Sequence, residues 1–314
     1  MTPPQADAIA HAETILRAAC GERVRTRFVL APLTTFRIGG PAALFLEPES
    51  EADLVAASEA VRRSGVPFAV LGKGSNVLVA DDGFPGLVLR LGRGFRWSAR
   101  DGDVLSAGAA MPLPALAGVA LAHELAGLEF GVAIPASLGG AVRMNAGAHG
   151  GELADVVEHV DVFLLHSGTG ERLSADRAGF SYRRSELPED AVVVAASARL
   201  ASGEPAEIRA RMDEAREWRR RTQPLAEPNC GSVFKNPPGD HAARLIEDAG
   251  GKGFSVGGAS VSGKHANFIV AAAGARATDV VELIGRLQEL VMGRSGIRLE
   301  PEVHIVGDLD LASR

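Results

Sequence analysis

The sequence predicts an α+β protein with more than one structural unit, and three observations lead to this prediction. The chain has 314 residues, and because single hydrophobic cores stop growing near that length, two or three cores are expected. Apolar residues follow helical spacing in some segments and form short strand-like runs in others. The 37 glycines are consistent with many tight turns and close backbone approaches.

The N-terminal part of the chain has a βαβ-like pattern. Residues 6 to 20 predict a short helix, and the apolar run 42 to 46 predicts a strand. Pro48-Glu49-Ser50 introduces a helix over 51 to 64, in which apolar residues recur at helical spacing. The strand predicted at 67 to 71 leads directly into a glycine-rich loop.

The middle of the chain, from residue 87, and the C-terminal part mix short strands, glycine turns and helices. The predicted helices cover 114–126, 204–221, 241–249 and 278–292, and the predicted strands cover 156–165, 191–200, 266–272 and 302–306. Pro224 and Pro228 follow the helix over 204–221 and mark a boundary, because proline cannot continue a helix.

Composition excludes several classes of function. The formal charge of -6, from 33 basic and 39 acidic side chains, gives no basic footprint for nucleic acid. Two cysteines cannot build a disulfide framework, and none of the Cys or His spacings is that of a metal site. The N-terminus lacks the apolar core of a signal peptide, and no stretch has the roughly 18 apolar residues of a membrane helix. We therefore expect a cytoplasmic protein without a metal.

Two glycine-rich loops are the first candidate binding segments. The loop 71–79 follows an apolar strand, and its glycines let backbone N–H groups approach phosphate oxygens. It matches neither the Rossmann nor the P-loop pattern, so a simple tight turn is an equal alternative. The second segment runs from 134 to 150, where close helix packing is the alternative. An extended, flat ligand lying against the backbone would explain both loops.

Four polar segments are candidates for chemistry. Arg183 and Arg184 follow Tyr182, the only tyrosine of the chain, and are either a surface pair or a means of stabilising negative charge. Ser232 follows a glycine within the dense polar segment 223–237, but no G-x-S-x-G elbow supports a serine hydrolase. In the same segment, Cys230 is interpreted as a small buried filler. In the segment 260–268, His265 is interpreted as structural, and in the segment 299–303, Glu302 projects either into a cleft or onto the surface.

Taken in order, these segments resemble the UDP-N-acetylenolpyruvoylglucosamine reductase family over residues 30 to 307. The matching motifs are TTFRIGGPA, LGKGSNVLVADDGFPG, IPASLGGAVRMNAGAHG, FSYRRS, QPL, GSVFKNP, LIEDAG, GGASVSGKHANFI and LEPEV. The resemblance implies the two-subdomain FAD-binding fold of the vanillyl-alcohol oxidase and para-cresol methylhydroxylase type, followed by a C-terminal α+β substrate domain. The implied domains are 1–90 joined by 297–314, then 91–205, and then the substrate domain 206–296.

The resemblance also implies non-covalent FAD and the co-substrate NADPH. The cofactor-binding residues that it implies are Gly72, Lys73, Gly74, Ser75, Asn76, Val77, Pro135, Ala136, Ser137, Gly139, Gly140, Ala141, Asn145 and Gly147. These positions are the two glycine-rich segments, so the resemblance agrees with the phosphate-binding interpretation of their backbones.

For catalysis, the resemblance implies reduction of UDP-N-acetylglucosamine enolpyruvate to UDP-N-acetylmuramate, a step in peptidoglycan precursor synthesis. Arg183 and Glu302 match the positions that polarise the substrate carboxylate, and Ser232 matches the proton donor. Substrate contacts are expected from three further residues, which are Lys235, Asn236 and Lys264. We expect a monomer that binds neither nucleic acid nor membrane.

The chain is similar to the shorter, type II form of the family, because no tyrosine stands between Arg183 and Ser232. It departs from the family pattern at four positions, which are Ala136, His149, Ala271 and His304. One alternative is another FAD oxidoreductase of the same fold, although the tethering motif common in such enzymes is missing. A second alternative is a catalytically silent paralogue that binds nucleotide sugars, and retention of the three catalytic positions argues against it.

Overall fold

The computed structural model describes residues 3 to 309, with side chains from residue 5 onward. Its α-helices are α1 (Pro3–Cys20), α2 (Glu51–Ser64), α3 (Leu113–Ala122), α4 (Leu138–Arg143), α5 (Ala175–Ala178), α6 (Pro205–Thr222), α7 (Ala242–Asp248) and α8 (Ala277–Ser295). Its strands are β1 (Arg25–Val29), β2 (Pro41–Leu46), β3 (Phe68–Val70), β4 (Val77–Val79), β5 (Phe84–Leu89), β6 (Ser98–Asp101), β7 (Val104–Gly108), β8 (Leu125–Ala126), β9 (Gly147–Ala148), β10 (Gly151–Glu152), β11 (Val157–Leu164), β12 (Thr169–Ser174), β13 (Ala191–Arg199), β14 (Ala201–Ser202), β15 (Asn229–Ser232), β16 (Ser255–Val256), β17 (Ala259–Val261), β18 (Phe268–Ala271) and β19 (His304–Val306).

The chain divides into two compact units. Within the described residues, the first unit comprises 3–26, 44–73 and 85–219, and the second comprises 27–43, 74–84 and 220–309. The chain therefore passes between the units several times. The three-domain division expected from the resemblance is not tested by this grouping and stays a prediction.

The first unit contains two hydrophobic cores. One lies beneath an antiparallel five-stranded sheet with the strand order β12-β11-β13-β7-β6, and residues of α3, α4 and α6 contribute to it. The other forms where α1 packs against α2, with Leu16 and Leu54 fully buried. Helix α2 begins at a serine cap, since Ser50 Oγ accepts a bond from Asp53 N, and ends at left-handed Gly65.

The second unit is built on an antiparallel sheet with the order β15-β18-β17-β16. Buried residues of α7 and α8 share one core with this sheet, including Phe234, Ile269 and Leu283. Strand β19 pairs in parallel with β4, with His304 opposite Val77. This pairing brings the segment after Glu302 next to the end of the first glycine loop.

The predicted α+β class is confirmed, and each predicted helix and strand has a counterpart. The prediction was wrong at one helix end: the helix expected to reach residue 126 stops at Ala122. Glu124 has a φ of 59°, which ends the helix, and Leu125 and Ala126 instead form β8 paired with β14. Local helix propensity was overridden there by strand pairing with a segment that is distant in sequence.

The described residues give three further results. Cys20 and Cys230 are both buried and form no disulfide. Within residues 3 to 309, no helix has the length and apolar character needed to cross a membrane. In the same range, no group of three or more His, Cys, Asp or Glu side chains is arranged to hold a metal ion.

Candidate active site

The two glycine-rich segments meet in the first unit at Gly72. A Cβ placed on Gly72 would lie 2.6 Å from Ser137 Oγ and 3.9 Å from Gly140 Cα, so a larger residue would require Ser137 to change its rotamer or the segments to move apart. A Cβ on Gly139 would lie 2.9 Å from the Cβ of Ala109. The glycines therefore permit close packing between protein segments. The predicted approach of their backbone N–H groups to a phosphate stays a prediction.

The second segment is held in position by backbone bonds on its protein side. Leu138 N donates to Met111 O at 2.8 Å, and Gly139 N donates to Ala109 O at 2.9 Å. Its side chains from Pro135 to Ala141, apart from Leu138, are small, and Leu138 is turned into the core. Because these side chains are small, a flat ligand can lie close against this backbone.

The remainder of the first loop, from 74 to 79, belongs to the second unit. Gly74 has a φ of 64°, and a Cβ there would lie 2.2 Å from Leu33 O, so only glycine fits. Asn76 Nδ2 donates to Glu302 O at 3.1 Å, and Asn76 O accepts a bond from His304 N at 3.1 Å. The loop end is thus braced against the segment that carries Glu302.

Arg183 is joined to the second glycine segment within the first unit. Its Nη2 donates to Gly147 O at 2.8 Å, and its own backbone has a φ of 56°. Asn145 is fully buried, and its side chain donates to Ser181 O at 3.0 Å and accepts from Ala154 N at 2.9 Å. In this structure the Asn145 side chain therefore braces the backbone that leads to Arg183.

Ser232 and Glu302 lie on adjacent segments of the second unit. Ser232 is the last residue of β15 and pairs with Phe268 of β18. Glu302 N donates to the carbonyl of Val233, the residue after Ser232, at 2.7 Å. An isolated bridge between Phe234 and Pro301 continues this pairing. The structure thus places Ser232, the expected proton donor, and Glu302, which is expected to polarise the substrate carboxylate, on adjacent segments.

Cys230 stands two residues before Ser232 and is buried. This burial agrees with its interpretation as a small residue that fills space in the core. Burial raises the pKa of its thiol well above the usual range, and the negative charge of Glu302 raises it further. A thiol of this kind stays protonated at neutral pH, so it is inert as a nucleophile.

The three expected substrate contacts each have a protein partner. Lys235 Nζ pairs with Glu300 Oε1 at 2.6 Å, and Lys264 Nζ donates to the carbonyl of Arg220 at 2.6 Å. Asn236 Oδ1 accepts a bond from Ala242 N at 3.0 Å, at the start of α7. All three residues belong to the second unit.

Asn267 is a residue of this region that the sequence reasoning passed over. Its buried amide bonds to both backbone groups of Phe234, two residues after Ser232. The neighbouring His265 accepts a bond from Asn267 N at 3.2 Å, and burial lowers the pKa of its imidazole, which supports the structural interpretation of this histidine. The signal in the sequence was a lone amide within the apolar run 266–271.

Two models of known families match the chain. An FAD binding domain matches residues 42–174, and the C-terminal domain of UDP-N-acetylenolpyruvoylglucosamine reductase matches residues 223–306. A reductase of that name from Heliobacterium modesticaldum is 48% identical over 277 residues, which is 88% of each chain. The corresponding protein of Myxococcus xanthus is 46% identical over 292 residues, covering 92% of this chain and 94% of the relative.

A solved structure agrees with these sequence matches. The crystal structure of UDP-N-acetylenolpyruvylglucosamine reductase from Thermus caldophilus superposes with a TM-score of 0.79 at 41% identity. It covers 90% of this chain and 98% of that one. The resemblance drawn from the motifs is confirmed, and the expectation of an FAD-binding domain before a C-terminal substrate domain agrees with the two family models. The chain belongs to the UDP-N-acetylenolpyruvoylglucosamine reductase family and is an FAD-dependent oxidoreductase.

Proposed function

We propose that this chain uses NADPH to reduce UDP-N-acetylglucosamine enolpyruvate to UDP-N-acetylmuramate for peptidoglycan precursor synthesis. Family membership supports the reaction, and one observation carries the assignment of roles. The bond from Glu302 N to Val233 O keeps Ser232 and Glu302 on paired segments. Glu302 and Ser232 would act on the same enolpyruvyl group, and two residues that act on one small group need a fixed relative position.

FAD, when bound, supplies hydride transfer between NADPH and the substrate. Gly72, Ser137 and Gly140 would lie against its diphosphate, since their segments already approach each other within the first unit. The remaining cofactor positions predicted in the two glycine segments, including Lys73 and Ser75, would flank this contact. The cofactor would be held without a covalent bond.

The chain's own residues would handle the negative charge that the reaction creates. Addition of hydride to the vinyl carbon of the enolpyruvyl group leaves charge at its neighbour, C2, and this charge spreads into the carboxylate. The planar guanidinium of Arg183 would pair with that carboxylate, because its fork of N–H donors matches the two oxygens. The carboxyl group of Glu302 would hydrogen-bond to the same group.

Ser232 would then donate its hydroxyl proton to C2, which completes the reduction. A hydroxyl group is a weak acid, so the alkoxide that remains needs a cation or hydrogen-bond donors nearby. Lys235 or Lys264 would supply this charge after exchanging its present partner, Glu300 or the Arg220 carbonyl. Asn236 would contact the substrate from the start of α7.

The enzyme requires only two partners, a nucleotide sugar and NADPH. Nucleic acid and membrane therefore have no role in the reaction. The expected form is a cytoplasmic monomer, in the compartment where NADPH and the precursors of the wall are made.

The test is a purified protein followed by its visible spectrum. The expected protein is yellow, releases FAD on denaturation, and loses its flavin absorbance when NADPH is added without oxygen. Addition of the enolpyruvyl sugar nucleotide should restore the colour. A protein that binds FMN, or that is bleached by NADPH but not recoloured by this substrate, would contradict the proposal.

A further inference from the structure

The side chain of Asn267 is paired with a backbone segment as a neighbouring strand would be. Its Oδ1 accepts a hydrogen bond from Phe234 N at 2.9 Å, and its Nδ2 donates to Phe234 O at 2.8 Å. Asn267 is 4% exposed, and Phe234 is 1% exposed. Because water does not reach these groups, loss of the amide would leave both Phe234 backbone groups without partners.

This pairing begins where the regular sheet ends. The β15–β18 ladder pairs Ser232 with Phe268, after an irregularity between Asn229 and Ser232. Beyond that point Val233 N donates to Asn267 O at 2.9 Å, and Phe234 is held by the Asn267 side chain. Asn267 thus binds both residues that follow Ser232.

The same two residues hold the segment that carries Glu302. Val233 O accepts the bond from Glu302 N at 2.7 Å, and Phe234 forms the bridge with Pro301. The dipeptide Val233–Phe234 therefore lies between Asn267 on one side and residues 301–302 on the other. A displacement of this dipeptide would move Ser232 and Glu302 relative to each other.

We propose that Asn267 is a positioning residue for the proton transfer, and that its amide fixes the separation of Ser232 and Glu302. The inference rests on the proposed function. Asn267 contacts backbone and not the reacting atoms, so its effect is exerted through Ser232. A misplacement of about 1 Å at a reacting group can reduce a rate by about 100-fold.

The experiment compares FAD-loaded variants in the two half-reactions by stopped flow. Asn267→Ala should be bleached by NADPH within about twofold of the parent rate, while recolouring by the enolpyruvyl substrate should slow by about 10- to 100-fold. The matched control is Asp279→Ala, which removes bonds to Gly258 N and Arg276 N, both 3.0 Å long, at the start of α8. The control should lose thermal stability but keep both rates.

A second variant gives a readout that general loss of stability would not produce. Asn267→Asp keeps an acceptor for Phe234 N but loses the donor for Phe234 O while the carboxyl group is ionised. Burial disfavours the ionised form, so the proton should return at mildly acidic pH and restore the donor. The ratio of the recolouring rate to the bleaching rate, relative to the parent, should therefore rise as the pH falls.

Amide hydrogen exchange provides a measurement that does not depend on turnover. In Asn267→Ala, exchange at Phe234 N should be faster than in the parent and faster than in Asp279→Ala, with or without FAD, because only Asn267→Ala removes the acceptor of this N–H. If both half-reactions slow equally, or if recolouring keeps its parent rate although exchange at Phe234 is faster, Asn267 is not a positioning residue. If the parent enzyme is not recoloured by the substrate, the proposed function fails instead.

Discussion

The contact between Gly72 and Ser137 predicts a sharp effect of a single methyl group on FAD binding. In Gly72→Ala the new Cβ would stand 2.6 Å from Ser137 Oγ, whereas ordinary contacts begin at 3.4 Å. Gly72 has no positive φ, so alanine meets only this contact and no backbone strain. The two glycine segments must therefore move apart or Ser137 must change its rotamer.

The magnitude follows from the cost of overpacking. Forcing one methyl group into a packed site costs about 1–3 kcal/mol, and a factor of ten in Kd corresponds to about 1.4 kcal/mol. If the segments separate, FAD affinity should fall about 5- to 150-fold. The second substitution Ser137→Ala should restore most of this loss, since the next contact, Ser137 Cβ, would lie at 3.8 Å.

The assay is FAD binding to the apoprotein, measured by quenching of flavin fluorescence for both single variants, the double variant and the parent. The coupling energy from this cycle isolates the Gly72–Ser137 contact from any direct effect of the serine hydroxyl on FAD. Gly118→Ala is the matched control, because nothing lies within 4 Å of its added Cβ. A Gly72→Ala affinity within twofold of the parent, or additive effects in the cycle, would refute the reasoning.

Three further predictions concern the catalytic residues and an ion pair. Ser232→Ala should leave bleaching by NADPH unchanged but slow reoxidation by the substrate about 100-fold, and Ser232→Cys should recover part of the loss; equal slowing of both half-reactions would assign the serine a structural role. Arg183→Lys should reduce turnover about tenfold, which is about 1.4 kcal/mol, because an ammonium cannot pair bidentately with a carboxylate; unchanged steady-state turnover would place Arg183 outside the site. The Arg23 guanidinium lowers the pKa of Asp53 to about 2, so their pairing stabilises the fold above about pH 4 and is lost as the pH falls toward 2. Arg23→Gln should therefore lower the free energy of unfolding in urea at pH 7, and its difference from the parent should shrink between pH 4 and 2; a constant difference would contradict this.

Much of the local structure could be predicted from the sequence because it depends on neighbouring residues. The helix over 51–64 was predicted to its end residues, since Ser50 caps its start and Gly65 its end. The first glycine loop packs closely against Ser137 at Gly72, as glycine allows; its contact with a phosphate stays a prediction. The order of the motifs was specific enough to identify the family, which the comparisons confirm.

Other features depend on residues far apart in the chain, and these only the tertiary structure decided. Nothing near residue 125 indicates a strand, because the partner of β8 is Ala201–Ser202. The place of Asn76 beside Glu302 spans 226 positions, and the sequence suggested only a cofactor contact for it. Asn267 had no predicted role because its partner, Phe234, lies 33 positions away.

By itself, then, the sequence determined the α+β class, most helices and strands, and the family. It also predicted which residues would carry the family's chemistry. The class and the elements depend on periodicity and on capping and turn residues, which are local properties of the chain, and the family was identified from the order of the motifs along it. The tertiary structure decided which backbone groups the polar side chains bind, as for Asn145, Asn267 and Lys264. An amide or ammonium group bonds to whichever carbonyl the packing of distant segments brings within about 3 Å, and periodicity does not encode that choice.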